Sequence, residues 1–166
     1  MSKKILSLTL ALCMVMAMLP ATVFAGSTTE CQGGEGCRHE AKIDTTHYDT
    51  LAEALEEAAP GNTVTLLKEV ASADTLTVDE DIILDLAGYK LGFTAAGKYL
   101  NLTATSAEIK STGSKGEIAG VNNALSVGAN CQLTMDNCAV TAAPVSEASV
   151  TLVSLKGGSA LTARGC

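Results

Sequence analysis

The hydrophobic positions of the chain follow three different patterns in succession. An apolar run occupies residues 5–19, a stretch with a helical period covers 48–61, and apolar and polar positions alternate from residue 62 onward. A period of 3.6 residues is typical of an amphipathic helix, and a period of 2 is typical of a half-buried strand. The pattern therefore predicts an N-terminal apolar segment, one helix and a series of short strands.

The helix is predicted within residues 48–61. Thr50 and Glu53 have the spacing of a capping box, and Pro60-Gly61 stops the helical pattern. Four apolar residues fall on one face, at positions i, i+3, i+4 and i+7: Leu51, Ala54, Leu55 and Ala58.

The region 62–166 contains an approximate internal repeat. Its clearest units begin with apolar-x-apolar segments at Leu76–Val78, Leu100–Leu102, Leu125–Val127 and Val153–Leu155. The starts are 24, 25 and 28 residues apart, and in the last two units Cys138 matches Cys166. Units of this size with several short strands are typical of a parallel β-solenoid, in which each coil buries its apolar side chains by stacking on the next.

The stacking predicts a buried column formed by Leu84 or Leu86 with Ile109, Leu133 and Leu161. The helix is expected to cover the N-terminal end of the stack, where strand edges would otherwise be exposed. Two other folds remain open on this pattern. A β-sandwich also has strands at short intervals, and Leu84–Leu91 taken alone has the spacing of a leucine-rich repeat.

Residues 1–25 have the features of a secretory signal peptide: two lysines, an apolar run and a small-residue end at Val23-Phe24-Ala25. The run is shorter than the roughly 20 residues that span a bilayer, so we do not expect an integral membrane protein. Residues 26–47, rich in Gly, Thr and charge, are predicted to be a leader loop.

Composition narrows the range of partners. The chain has eleven Lys and Arg against eighteen Asp and Glu, for a net charge of −7, and its basic residues are scattered. A nucleic-acid partner is therefore disfavoured, because binding along phosphates needs clustered positive charge. With no Trp, three Tyr and two Phe, a dense aromatic sugar-binding platform is also disfavoured.

Four segments together resemble the start of the pectate-lyase-like proteins, right-handed parallel β-helix proteins exported to bacterial surfaces. The segments are Cys31–His39, Tyr48–Ala58, Gly61–Val70 and Ile82–Leu91, and the resemblance covers about residues 31–142. It implies an all-β, right-handed parallel β-helix with one N-terminal capping helix, and a secreted or cell-surface location. Such proteins are usually longer and carry a C-terminal attachment region, so this chain is expected to be the N-terminal part of a larger polypeptide that continues beyond Cys166.

The sequence offers no catalytic constellation. Relatives that cleave polygalacturonate use acidic pairs or acidic clusters with an Arg base, since glycosidic cleavage needs two groups flanking the bond. The densest acidic stretch is Asp79-Glu80-Asp81 with Asp85, and the chain's two arginines, Arg38 and Arg164, are far from it in sequence. We interpret the stretch as a solvated acidic turn with at most weak calcium binding, and expect no catalytic residue, no cofactor and no metal site.

The cysteines predict two disulfides. Cys31 and Cys37, with His39 and His47, could be written as a zinc site, but their spacing is longer than that of usual zinc motifs. A local Cys31–Cys37 disulfide is therefore favoured. Stacking of the last two units predicts a second disulfide between Cys138 and Cys166, because adjacent coils are about 4.8 Å apart. Cys131 is expected to remain a buried free thiol.

These observations favour a secreted or cell-surface β-helix protein with a structural or adhesive role. Its partners are expected to be an extracellular glycan or a host or cell-wall surface, together with the continuing β-helix or a second copy at its open C-terminal edge. The alternative is the N-terminal part of a carbohydrate-active lyase or glycoside hydrolase whose catalytic coils follow residue 166.

Overall fold

The computed structural model describes residues 36–144 and 149–166. The signal peptide predicted for residues 1–25 and the predicted disulfide partner Cys31 lie outside these ranges. Helix α1 spans Leu51–Glu57. The strands of the described residues are β1 (Ala41–Ile43), β2 (Thr46–Tyr48), β3 (Thr63–Leu66), β4 (Val70–Ser72), β5 (Leu76–Val78), β6 (Ile83–Asp85), β7 (Lys90–Phe93), β8 (Leu100–Leu102), β9 (Ser106–Lys110), β10 (Gly116–Val121), β11 (Asn123–Val127), β12 (Gln132–Asp136), β13 (Cys138–Ala143), β14 (Thr151–Leu155) and β15 (Ala160–Arg164).

From β3 onward the strands stack in three parallel columns. The first column is β3, β6, β9, β12 and β15. The second column is β4, β7, β10 and β13, and the third is β5, β8, β11 and β14. One strand from each column makes one coil, so the chain forms a parallel β-solenoid of about four turns. This confirms the predicted parallel β-helix with a single helix.

The third column has the register that the repeat predicts. Leu76 pairs with Leu100, Leu100 with Leu125, and Leu125 with Val153. Leu100 and Leu125 are fully buried, because each lies between apolar neighbours from the coils above and below. The repeat spacing in the sequence is therefore the length of one coil.

The first column departs from the predicted register by two residues. Leu84 pairs with Ile109 as expected, but Ile109 then pairs with Met135 rather than with Leu133. Leu133 lies opposite Ala107 on one side, and on the other side it pairs with Leu161, as predicted. Strands β9 and β12 each turn two alternate apolar side chains inward, so a shift of two keeps the apolar face buried, and residue type alone could not separate the two registers.

Helix α1 begins at the capping box that the sequence predicts but ends before the predicted stop at Pro60-Gly61. The Thr50 hydroxyl accepts a hydrogen bond from the Glu53 amide, and the Glu53 carboxylate accepts one from the Thr50 amide, both at 3.2 Å. Leu51, Ala54 and Leu55 are buried against β1, β2, β3 and β5. The helix is shorter than the predicted range 48–61 because the backbone is already extended at Ala58, two residues before Pro60.

The segment predicted to be a leader loop contains a β-hairpin. Strands β1 and β2 pair antiparallel, with Asp44 at positive φ in the turn, and β1 also pairs antiparallel with β3. Ala41 and Ile43 face the core. The sequence did not predict this hairpin because strands of three residues are too short to show a clear alternation. Together with α1, the hairpin covers the N-terminal edge of the stack.

The last coil presents its apolar residues to solvent. Leu152 and Leu155 on β14 are 46% and 51% exposed, whereas Val127, the partner of Leu155 on the previous coil, is fully buried. Within the described residues, β14 stacks on β11 on one side, and no further coil covers its other side.

Candidate functional site

The acidic stretch that the sequence singles out is used to join coils. Asp85 is buried, and its carboxylate accepts hydrogen bonds from the amides of Ala87 and Thr112, at 2.9 and 3.0 Å, and from the Thr112 hydroxyl at 2.9 Å. Asp81 accepts a hydrogen bond from the Ser106 amide at 2.8 Å. The Asp85–Thr112 and Asp81–Ser106 hydrogen bonds connect one coil to the next. Both carboxylates therefore have a structural role.

The corner next to Asp85 continues as a polar network. The Ser111 hydroxyl accepts from the Gly88 amide at 2.8 Å and donates to the Ser114 carbonyl at 2.7 Å. One coil further on, the Asn137 side-chain amide donates to the Ser111 carbonyl at 2.9 Å. Hydrogen bonds therefore connect three successive coils at this corner and satisfy polar groups that would be costly to bury unpaired.

The outer face of the second column forms a groove of about 650 Å³. Its floor is a row of small residues brought into register from four coils: Ala71, Gly92, Ala119 and Thr141. Because these side chains are short, the floor lies below its flanks. The groove runs from coil to coil along the axis of the solenoid.

A charged pair lies beside the groove, with Lys90 among the residues that line it. The Lys90 ammonium lies 3.4 Å from the Glu117 carboxylate, which also accepts a hydrogen bond of 2.6 Å from the Thr141 hydroxyl. That hydrogen bond, followed by the Lys90 charge, holds the pKa of Glu117 below its ordinary value despite partial burial. Glu117 is therefore ionised at neutral pH and is unsuited to act as a general acid.

No motif in the sequence marks Lys90, Glu117 or Thr141 as neighbours. The signal that could have found them is the coil period, since Lys90, Glu117 and Thr141 are 27 and 24 residues apart. Phe93 also lines the groove but is buried in the core, so it offers no exposed ring for stacking on a sugar.

Cys138 and Cys166 lie on neighbouring coils without a bond between them. Asp136 pairs with Arg164, and continuing this register by two residues places Cys138 opposite Cys166. Burial, and secondarily the neighbouring Cys166, raises the pKa of Cys138 to about 11. The disulfide between them stays a prediction for the oxidised protein.

Cys131 is fully buried and unbonded, as expected for a small apolar side chain in the core. Burial raises the pKa of its thiol. The Cys31–Cys37 disulfide stays a prediction, because Cys31 lies outside the described residues.

A group of polar side chains lies beside the N-terminal hairpin. His39 is buried, its ring centroid is 5.3 Å from that of His47, and its Nε2 lies 3.4 Å from the Asp49 carboxylate. Cys37 is buried two residues before His39. Considered alone, the part of the chain that the structure describes contains no cluster of three His, Cys, Asp or Glu side chains arranged to hold a metal ion.

A scan against protein-family models and searches of curated proteins and of solved structures each found no match. Within residues 36–144 and 149–166, no helix is long and apolar enough to cross a membrane.

Proposed function

We propose that this chain is part of a secreted or cell-surface bacterial protein, similar to the pectate-lyase-like β-helices, with a structural and adhesive role. The stacked solenoid supports this proposal, because a continuous hydrogen-bonded stack of coils is stiff and presents the same face repeatedly along its length. The signal-peptide pattern in residues 1–25 supports export.

The groove over β4, β7, β10 and β13 is the surface we assign to ligand binding. Its floor of small residues admits an extended polymer, and the Lys90–Glu117 pair with the Thr141 hydroxyl offers polar partners along one side. An extracellular glycan, free or on a host or cell-wall surface, fits this combination of shape and polarity.

The observation that favours binding over catalysis is that Asp81, Asp85 and Glu117 are held by hydrogen bonds within the fold. Asp81 and Asp85 accept hydrogen bonds from the next coil, and Glu117 is held ionised by Thr141 and Lys90. The alternative function is a lyase or glycoside hydrolase whose catalytic coils follow residue 166, and it does not use these three acids.

Binding to immobilised neutral and acidic polysaccharides tests the proposal. Ala119→Arg fills the groove floor and is expected to reduce binding at least tenfold, whereas Gln132→Arg places the same side chain on an exposed position of the first column and should leave binding unchanged. Equal binding by both variants would refute the groove assignment. Release of reducing or unsaturated sugars by the chain itself, abolished in Asp81→Ala or Asp85→Ala, would refute the structural role assigned to these acids and the expectation that this segment is not catalytic.

We also propose that the exposed edge of β14 pairs with further β-helix coils, of a continuing chain or of a second copy. The exposure of Leu152 and Leu155 supports this, since these positions on the inner coils are covered by the next coil. Sedimentation of the purified chain distinguishes the two: a monomer excludes pairing between copies through this edge.

A further inference from the structure

A row of three charged side chains runs along the groove over β4, β7, β10 and β13. Glu69 and Lys90 are the charged side chains that line the groove within the described residues, and Glu117 lies beside it. The register of β4 with β7, extended by one residue, places Glu69 beside Lys90, and the register of β7 with β10 pairs Lys90 with Glu117. The charges of the row therefore alternate from coil to coil, with two acids and one base.

The cation of this row already has a partner. The Lys90 ammonium lies 3.4 Å from the Glu117 carboxylate, and the Thr141 hydroxyl donates a hydrogen bond of 2.6 Å to the same carboxylate. The Thr141 hydrogen bond, followed by the Lys90 charge, lowers the pKa of Glu117, so this carboxylate keeps its charge at neutral pH. Within the described residues, an anionic ligand therefore meets no unpaired ammonium group in the lining of the groove.

Glu69 leaves the row with an excess of negative charge. Its side chain is exposed, and no ion pair of its carboxylate is found among the described residues. Like charges brought together at an interface disfavour the wrong partner, so a polymer of uronates or sulfated sugars is disfavoured here. A neutral sugar brings no such repulsion, and its hydroxyl groups can donate hydrogen bonds to a carboxylate.

We propose that Glu117 makes the groove selective for neutral polysaccharides over acidic ones, because it neutralises the lysine in the groove lining. This inference rests on the glycan-binding role proposed above for the same groove, and it narrows the class of ligand. Glu117 lies beside the groove rather than in its lining. It therefore sets the charge of the surface without filling the space above the floor.

Binding of the purified full chain to pairs of polymers that share one backbone tests the proposal. The probes are an immobilised glucan, galactan and mannan, each beside its carboxymethylated form. We expect a neutral polymer to bind about tenfold more tightly than its carboxymethylated form, with little dependence on salt. Ala119→Leu fills the groove floor without adding charge and should abolish this binding.

Glu117→Gln leaves the Lys90 ammonium unpaired. Removing one like charge about 5 Å from a ligand carboxylate should strengthen binding of the carboxymethylated polymer about fourfold at low salt, and the gain should disappear at about 1 M salt. Glu69→Gln removes the other acid of the row and should give a similar gain, so it provides the test if Glu117→Gln fails to fold. Glu108→Gln is the matched control, because it removes an acid from the outer face of the first column and should leave binding unchanged.

Four results would overturn the proposal. Equal binding of neutral and carboxymethylated polymers, lost in Ala119→Leu, would keep the groove as a glycan site but remove its selectivity. A gain in Glu117→Gln no larger than in Glu108→Gln would show that Glu117 does not determine the selectivity. Binding that persists in Ala119→Leu would refute the assignment of the groove itself. Absence of binding to every polymer would refute the glycan-binding role and this inference with it.

Discussion

Replacing Asp85 by Ala should destabilise the solenoid strongly, although the residue belongs to an acidic stretch that looks like a solvated turn in the sequence. The buried carboxylate accepts three hydrogen bonds, two from Thr112 on the next coil and one from the Ala87 amide. Each donor left without a partner in a buried site costs about 1–3 kcal/mol. Taking the lower value for each, because this corner is only part-buried, predicts a loss of about 3 kcal/mol in the free energy of unfolding.

Urea unfolding followed by circular dichroism measures this loss. Asp79→Ala is the matched control, since Asp79 belongs to the same acidic stretch but is exposed, and its effect should stay within about 0.5 kcal/mol. Asp85→Asn keeps one oxygen acceptor and should fall between the two. If Asp85→Ala costs no more than Asp79→Ala, the hydrogen bonds between coils do not stabilise this corner and the reasoning is wrong.

Four further outcomes follow from the core and the cysteines. In the reduced protein Cys138 should be alkylated far more slowly than Cys166 at pH 8, because its pKa is raised to about 11. Because burial favours the neutral Cys138 thiol, its contribution to the free energy of unfolding is complete below pH 9.0, its ordinary pKa, and is lost as pH rises toward about 11. Urea unfolding across this pH interval checks the sign of the effect. In the oxidised protein, mass mapping should find a Cys138–Cys166 disulfide, which closes a loop of 28 residues and contributes about 3–4 kcal/mol; a Cys131–Cys138 link would contradict the coil register. Leu125→Ala should cost about 2–5 kcal/mol in urea unfolding, whereas Leu152→Ala, at an exposed position, should cost less than about 1 kcal/mol.

The register of the third column could be predicted from the sequence because its strands are distinctive. Leu100-Asn-Leu102 and Leu125-Ser-Val127 each have a single polar residue between two apolar ones, and turns on both sides limit the pairing. The structure pairs Leu100 with Leu125 and Leu102 with Val127 as expected. A one-residue slip would turn Asn101 in place of Leu100 and Leu102 toward the core, which makes the register unambiguous.

The first column lacked such a constraint. Its strand β9 carries Ala107 and Ile109 on the inner face, and β12 carries Leu133 and Met135. A two-residue shift exchanges one apolar pair for another, so matching leucine to isoleucine gave the wrong partner for Ile109. What fixes the register is the length of the preceding turn, together with backbone hydrogen bonds such as Gln132 to Thr105.

The N-terminal hairpin could not be predicted for a different reason. Strands β1 and β2 have three residues each, and they form because β1 pairs with β3, a strand that is more than 15 residues further on. The stability of such short strands comes from tertiary pairing rather than from local propensity. Buried His39 has no periodic signal in the sequence, so the 5.3 Å spacing between its ring and that of His47 is visible only in the folded chain.

Contacts between polar side chains in this fold recur at the same interval of one coil as contacts between apolar side chains. This interval determines which residues can form a functional site together. Asp85 and Thr112 are 27 residues apart in sequence and Asp81 and Ser106 are 25 apart, yet each pair is joined by a hydrogen bond. A search for neighbouring acids along the sequence groups Asp81 with Asp85, although each bonds to a different residue of the next coil. In a solenoid, residues that are one coil apart in the sequence lie side by side in space. The Lys90–Glu117 contact therefore lies on a surface that no contiguous sequence motif could have revealed.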